Sequence, residues 1–170
     1  MRSRGGIVVT ILLASSIAAA ASGPGAVSGK AVVEGKTFAF KHIWLVRAPN
    51  KFDKTKMSSF AVVSADDISP AIRKCADRQC VTYEALKNGM IVEPSDAGFW
   101  VYVAHPELPV DTQFSGPNGG GTGWIGAAKS ADRLSGVLRY EDKDRRTSVD
   151  LTIDAPFLKE FPVEKGNSSR

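Results

Sequence analysis

The segment "TSVDLTID", residues 147–154, alternates without a break: Val149, Leu151 and Ile153 on one side, Ser148, Asp150, Thr152 and Asp154 on the other. Successive side chains of a strand point to opposite faces, so this period of two requires a strand with one buried and one wet face. Such a strand needs a sheet to join, and the rest of the chain supplies one. "RLSGVLRY" precedes it across "EDKDRR". "KAVVEGKTFAFKHIWLVR" gives two runs joined at Glu34-Gly35-Lys36, a hairpin signal. In the second run Phe38, Phe40, His42, Trp44 and Val46 share one face by alternation. "MSSFAVVSA", "MIVE", "GFWVYVAH" and "PVDTQFSG" complete the set, and "GFWVYVAH" is apolar on both faces, as a central strand is.

About eight short strands imply a mainly β fold. An antiparallel β-sandwich of immunoglobulin-like kind is the expectation, with an α+β fold or a small barrel as alternatives. The Cys-Trp-Cys signature of immunoglobulin domains is absent, which leaves the topology open. One helix interrupts the strands. Ser69 before Pro70 reads as an N-cap followed by proline at the first helical position, placing a short helix near 69–77.

That helix leads into "RKCADRQC", which holds the chain's 2 cysteines, Cys75 and Cys80. Their meaning depends on the compartment. The chain opens with Arg2 and Arg4, an apolar run from Ile7 to Ile17 and small residues from Ala18 to Ala21, the pattern of a cleaved signal peptide. The apolar run is shorter than the roughly 20 residues a membrane span needs, so no stable span is expected after cleavage. The expected organisation is a signal peptide over 1–21, a flexible lead-in over 22–29, a single β-rich domain over 30–162 and a frayed tail over 163–170. A periplasmic or secreted bacterial protein follows, and in that setting a Cys75–Cys80 disulfide is the expected pairing. Residues five apart on an unbroken helix are turned about 140° from one another and cannot bond. The helix is therefore expected to stop near Ala76 or Asp77. A six-residue ring contributes only about 2 kcal/mol by chain entropy. Redox catalysis normally uses C-x-x-C, which is absent, and structural zinc uses close ligand pairs, whereas His42 and His105 lie far apart and remote from the cysteine loop.

"GTGWIG", residues 121–126, matches the dinucleotide fingerprint, with Glu141 and Asp142 beyond it, but no strand leads directly in and too few residues follow for a crossover helix. No cofactor is expected. "SGPNGGGTGWIG" reads instead as a loop, and Gly119, Gly120, Gly121, Gly123 and Trp124 form a possible binding loop, with Trp124 either meeting a partner or, by preference, folding back as an apolar lid. His42 reads as a satisfied core or edge histidine and His105 as a hydrogen-bonded loop residue. No nucleophile motif accompanies them. Asp66, Asp67, Glu93 and Asp96 are the carboxylates that a cleft could pair. Without Arg2 and Arg4 the 22 basic residues become 20 against 18 acids, a net charge of only about +2. The basic clusters "NKFDKTK" and "KDRR" each contain an acid and read as solvated loops before anionic-ligand patches. No nucleic-acid partner is expected.

The "FDKTK" loop after an aromatic strand, the "IRKC" helix and the closing "LTIDAPFLKEF" resemble a family of small uncharacterised secreted proteins from Gram-negative bacteria. The resemblance covers most of the chain after the signal segment and implies an exported single domain, with no catalytic residue carried over. The leading functional expectation is an exported, non-enzymatic protein that binds a protein or a cell-envelope component. A periplasmic hydrolase using histidine or carboxylate chemistry and a metal-binding envelope protein are the alternatives.

Overall fold

The computed structural model describes residues 25–51 and 53–163, so the expected signal segment 1–21 and residues 164–170 of the tail lie outside the described residues. Within them the chain forms ten strands: β1 (Ala26–Val33), β2 (Lys36–Phe38), β3 (His42–Pro49), β4 (Met57–Ser64), β5 (Gly89–Pro94), β6 (Gly98–Ala104), β7 (Gln113–Pro117), β8 (Gly123–Lys129), β9 (Arg133–Asp142) and β10 (Thr147–Glu160). An α-helix, α1 (Ser69–Lys74), and a π-helical segment, Cys80–Ala85, stand between β4 and β5.

The alternation of β10 is realised in its burial. Val149, Leu151, Ile153 and Ala155 are buried, and Ser148, Asp150 and Thr152 are exposed. β10 also joins the sheet together. Its residues 148–154 pair antiparallel with β1, 147–156 antiparallel with β9, and 157–160 parallel with β3. From β3 the sheet continues through β4, β5, β6 and β7, while β1 carries β2 and β9 carries β8. Pro156 stands at the changeover: pairing with β1 has ended at Asp154, and pairing with β3 begins at Phe157. Proline has no N–H to give to a ladder, so a place where partners change suits it. Gly25 fits here too, because a Cβ on it would come within 2.6 Å of Pro156 Cδ and 2.7 Å of Ile43 Cγ2.

The fold is mainly β, as the alternation requires, but the arrangement corrects the expected antiparallel immunoglobulin-like sandwich. The sheet is mixed, and it curls into a half-barrel around one core, nearer to the barrel alternative. Inside the curl lie residues of all ten strands, among them Phe38, Leu45, Val63, Met90, Val101, Phe114, Trp124, Leu138 and Leu151. An aromatic contact helps close it: Phe114 of β7 stacks on Tyr140 of β9 at 4.6 Å, and Phe99 of β6 meets both edge-on. The outer face of β3 to β6 buries a second cluster, with Phe60, Val62, Ile91 and Tyr102 covered by Ile72, Val81 and Leu86. The middle strands are thus apolar on both faces, each buried side chain of valine or phenylalanine size contributing about 1.5–3 kcal/mol.

Four local expectations are corrected. β1 begins at Ala26, inside the expected flexible lead-in 22–29, because the open edge of β10 takes it up. The run after the Glu34-Gly35 turn breaks at 39–41, which changes the phase, so Phe38 faces the inner core while Trp44 faces outward with His42 stacked on it. Ser69 lies one residue inside α1 rather than capping it, and its N–H and hydroxyl both donate to Asp67 Oδ1. Asp67 thus carries the side-chain acceptor that a capping serine would otherwise supply.

The fourth correction concerns "GTGWIG". It is not loop but mostly β8, paired with β9. Glycines conceal a strand because they add no side-chain pattern. Trp124 is 7% exposed and packs over Gly136, where a Cβ would stand 2.3 Å from Trp124 Cζ2 and 2.4 Å from the Gly126 carbonyl. Neither the indole nor the backbone can yield cheaply there. Gly136→Ala is expected to destabilise the protein by about 1–3 kcal/mol through overpacking. Urea unfolding measures this, and an unchanged midpoint would contradict the packing described.

Candidate functional site

The cysteines are joined. Cys75 and Cys80 form a disulfide with Cα atoms 5.4 Å apart. α1 ends at Lys74, slightly earlier than the expected stop, and Cys75 is extended at φ −57° and ψ 140°. Asp77 Oδ1 then accepts the Cys80 N–H at 2.8 Å, starting the π-helical segment. The bridge thereby fixes a four-residue loop, Ala76–Gln79, against the outer face of the sheet. Such a bond is compatible with an oxidising extracellular compartment.

That loop is one wall of a cleft. The opposite wall is the stretch after β3, with Asn50, Lys51 and Lys54, and the floor includes Trp100 of β6. Tyr83, exposed, closes one end, and Phe161 with Pro162 continues from β10. The hollow measures about 430 Å³. A second hollow of about 450 Å³ shares Lys51 and Trp100 and runs over β7 and Tyr140 to Arg145.

Each wall has a visible anchor. Asn50 accepts the Asp53 N–H at 3.0 Å and donates to Ser58 Oγ at 2.6 Å, which folds the loop back on β4. Arg78 is ion-paired with Glu93 of β5, and the two side chains are only 12% and 11% exposed. Its guanidinium also lies 4.7 Å from the Phe60 ring and 5.6 Å from the Trp100 ring. From β10, Lys159 Nζ donates to the carbonyls of Arg73 and Cys75, tying the disulfide loop to the strand beyond its changeover.

Trp100 is half-buried because β6 sends Phe99, Val101 and Val103 inward and leaves Trp100, Tyr102 and Ala104 on the outer face. Tyr102 is buried in the outer cluster, and Trp100 packs at its margin. The indole N–H donates to Gln113 Oε1 at 3.0 Å, the ring stacks on Tyr102 at 6.3 Å, and Lys51 Nζ stands 4.5 Å from its centre. Burial, helped by Tyr83 and Asp111, raises the Tyr102 phenol, which donates to the Val110 carbonyl. Burial likewise raises the Tyr140 phenol, so both rings stay uncharged around neutrality.

Most residues singled out from the sequence lie elsewhere. His42 stacks on Trp44 at 5.8 Å, and His105 meets Phe38 edge-on at 5.2 Å while its Nδ1 accepts the Glu107 N–H. Asp66, Asp67 and Asp96 sit in turns, and Glu93 is held by Arg78. Gly119, Gly120 and Gly121 form an exposed tight turn closed by bonds between Gly119 and Thr122, and they do not line the cleft; Gly123 and Trp124 belong to β8. Among the described residues no group of three histidines, cysteines or carboxylates could hold a metal, and no helix is long and apolar enough to cross a membrane. The two basic clusters read as solvated loops do converge: Lys51 and Lys54 come from one and Arg145 from the other. Sequence reasoning missed Trp100, Arg78 and Tyr83. The usable signal was an outward tryptophan on a strand already apolar on its other face.

Because the six-residue ring is small, reducing the disulfide is expected to lower stability by about 2 kcal/mol while leaving the sheet folded. Urea unfolding with and without reductant reads this, and identical midpoints would contradict a role for the bridge in holding the wall. No family model, curated protein or solved structure matches the chain.

Proposed function

We propose that this is an exported, non-enzymatic binding protein of the bacterial periplasm or exterior, and that its ligand sits in the cleft around Trp100. The observation that carries the reading is the half-buried indole at the junction of two hollows, with a disulfide-pinned wall beside it. Ligand sites combine apolar and aromatic surface with a few placed polar groups, and their usual volumes of about 300–1,000 Å³ include this one. Export is supported by the signal-like residues 1–21, by the disulfide and by the resemblance to small secreted Gram-negative proteins. The natural partner is a protein or an envelope component. Hydrolysis would need a nucleophile, a base and an orienting group in one place. The histidines instead lie apart, each against an aromatic ring.

Two measurements test this. Esters, glycosides, phosphoesters and peptides are expected to show no turnover above blank, and turnover abolished by His42→Ala or His105→Ala would overturn the non-enzymatic reading. Native mass spectrometry of protein isolated from its own envelope extract is expected to show a bound mass that Trp100→Ala loses. A mass retained by Trp100→Ala would move the site away from the cleft.

A further inference from the structure

The long run of the sheet ends at β7, which among the described residues pairs only with β6. Antiparallel neighbours exchange their backbone hydrogen bonds at every second residue. The Val103 N–H donates to the Thr112 carbonyl at 2.9 Å, so Thr112, Phe114 and Gly116 turn their backbone groups to β6, and Gln113 and Ser115 turn theirs away. Arg145 confirms that direction. From the turn between β9 and β10 its Nη1 donates to the outward Gln113 carbonyl. Pro117 ends the open stretch, because it has no N–H and its carbonyl lies beside Gly123. The open stretch borders the second hollow, of about 450 Å³, which Gln113, Phe114 and Ser115 line together with Trp100, Tyr140 and Arg145. Resting on the reading above, we infer that the ligand is an extended peptide segment that adds to β7 as one further strand, paired through Gln113 and Ser115.

The edge itself specifies the occupant. It offers backbone donors and acceptors two residues apart, and another extended backbone presents the matching row. Side chains of an added strand alternate between its faces. On the inner face they meet the stacked rings of Phe114 and Tyr140, and on the outer face the half-buried Trp100. Phe114 and Tyr140 stand 4.6 Å apart, so the opposite wall comes within about one strand spacing of β7. A single strand suits that width better than a second copy, which would bring its own sheet behind its β7. The charged residues of this hollow, Lys51 and Arg145, are both basic. Both are already partnered, Arg145 by Glu34 and the Gln113 carbonyl, Lys51 by more than the Trp100 ring. They disfavour a basic segment through like charge, while recognition rests on the backbone. Arg145 also guards the edge, as charged side chains do at sheet edges. An entering N–H takes over the Gln113 carbonyl, and Arg145 Nη2 keeps Glu34.

The probe is the tightest binder panned from a random seven-residue peptide library on the oxidised secreted protein, resynthesised with capped ends and measured by calorimetry. Neutral or acidic sequences are expected to be enriched. Methylating the peptide's backbone nitrogens one at a time should weaken binding about fivefold or more at every second position and little between, because alternate N–H groups face β7. The bound peptide should slow amide exchange at Gln113 and Ser115. Ser115→Pro, which removes an outward donor and spares the β6 ladder, should weaken binding by a similar factor. Methylation without effect or without alternation would overturn the inference, as would Gln113 and Ser115 amides that the peptide leaves unprotected. A library that yields no binder would overturn it too; an envelope mass lost by Trp100→Ala would then leave the cleft reading standing. Conversely, a peptide that protects Gln113 and Ser115 and binds Trp100→Ala unchanged would uphold the added strand and overturn the role given to Trp100.

Discussion

The structure depends on one strand that changes partners. β10 runs for fourteen residues, and no single neighbour pairs with all of it. Its first part needs β1 and β9 to satisfy both edges, and its last part needs β3. The change falls at Pro156, the residue that lacks a donor, and Gly25 leaves room for the backbone there. The register also shifts between Phe157 and Lys159, a bulge that re-aims the strand end. Two runs of strands thereby become one curled sheet with an inside and an outside.

The outside is where the cleft lies, and β10 reaches it as well. Phe161 donates its N–H to the Arg47 carbonyl and lines the cleft, and Lys159 holds the carbonyls at the disulfide loop. The same strand that closes the inner core thus positions a wall of the cleft. The Arg78–Glu93 pair works differently. It stabilises little against an apolar substitute, because desolvating both charges offsets their attraction, yet it sets where the disulfide loop lands on β5. Trp100 stays half-buried because it packs at the margin of the outer cluster, in which Tyr102 is buried.

Local pattern made much of this legible. Val149, Leu151 and Ile153 announced their strand, the apolar run of β6 announced a central position, and the expectation of export, with the spacing, pointed to the Cys75–Cys80 bond. What stayed hidden depends on distant partners. Parallel pairing of Phe157 with Leu45 joins residues more than a hundred positions apart, and no local feature marks it. β8 was hidden by glycine, whose lack of a side chain gives alternation nothing to display. Lys51, Lys54 and Arg145 looked like solvated loop charges because sequence cannot show that their loops meet beside one tryptophan.

The partner change of β10 is best tested by residue-resolved amide hydrogen exchange on the oxidised protein. The bonded amides of 149–155 and of 157–161 are expected to exchange in one slow cooperative class, because both parts belong to the same sheet. Exchange of 157–161 orders of magnitude faster than 149–155 would contradict this, since the strand would then end before β3 and the cleft would lose the wall that β10 supports.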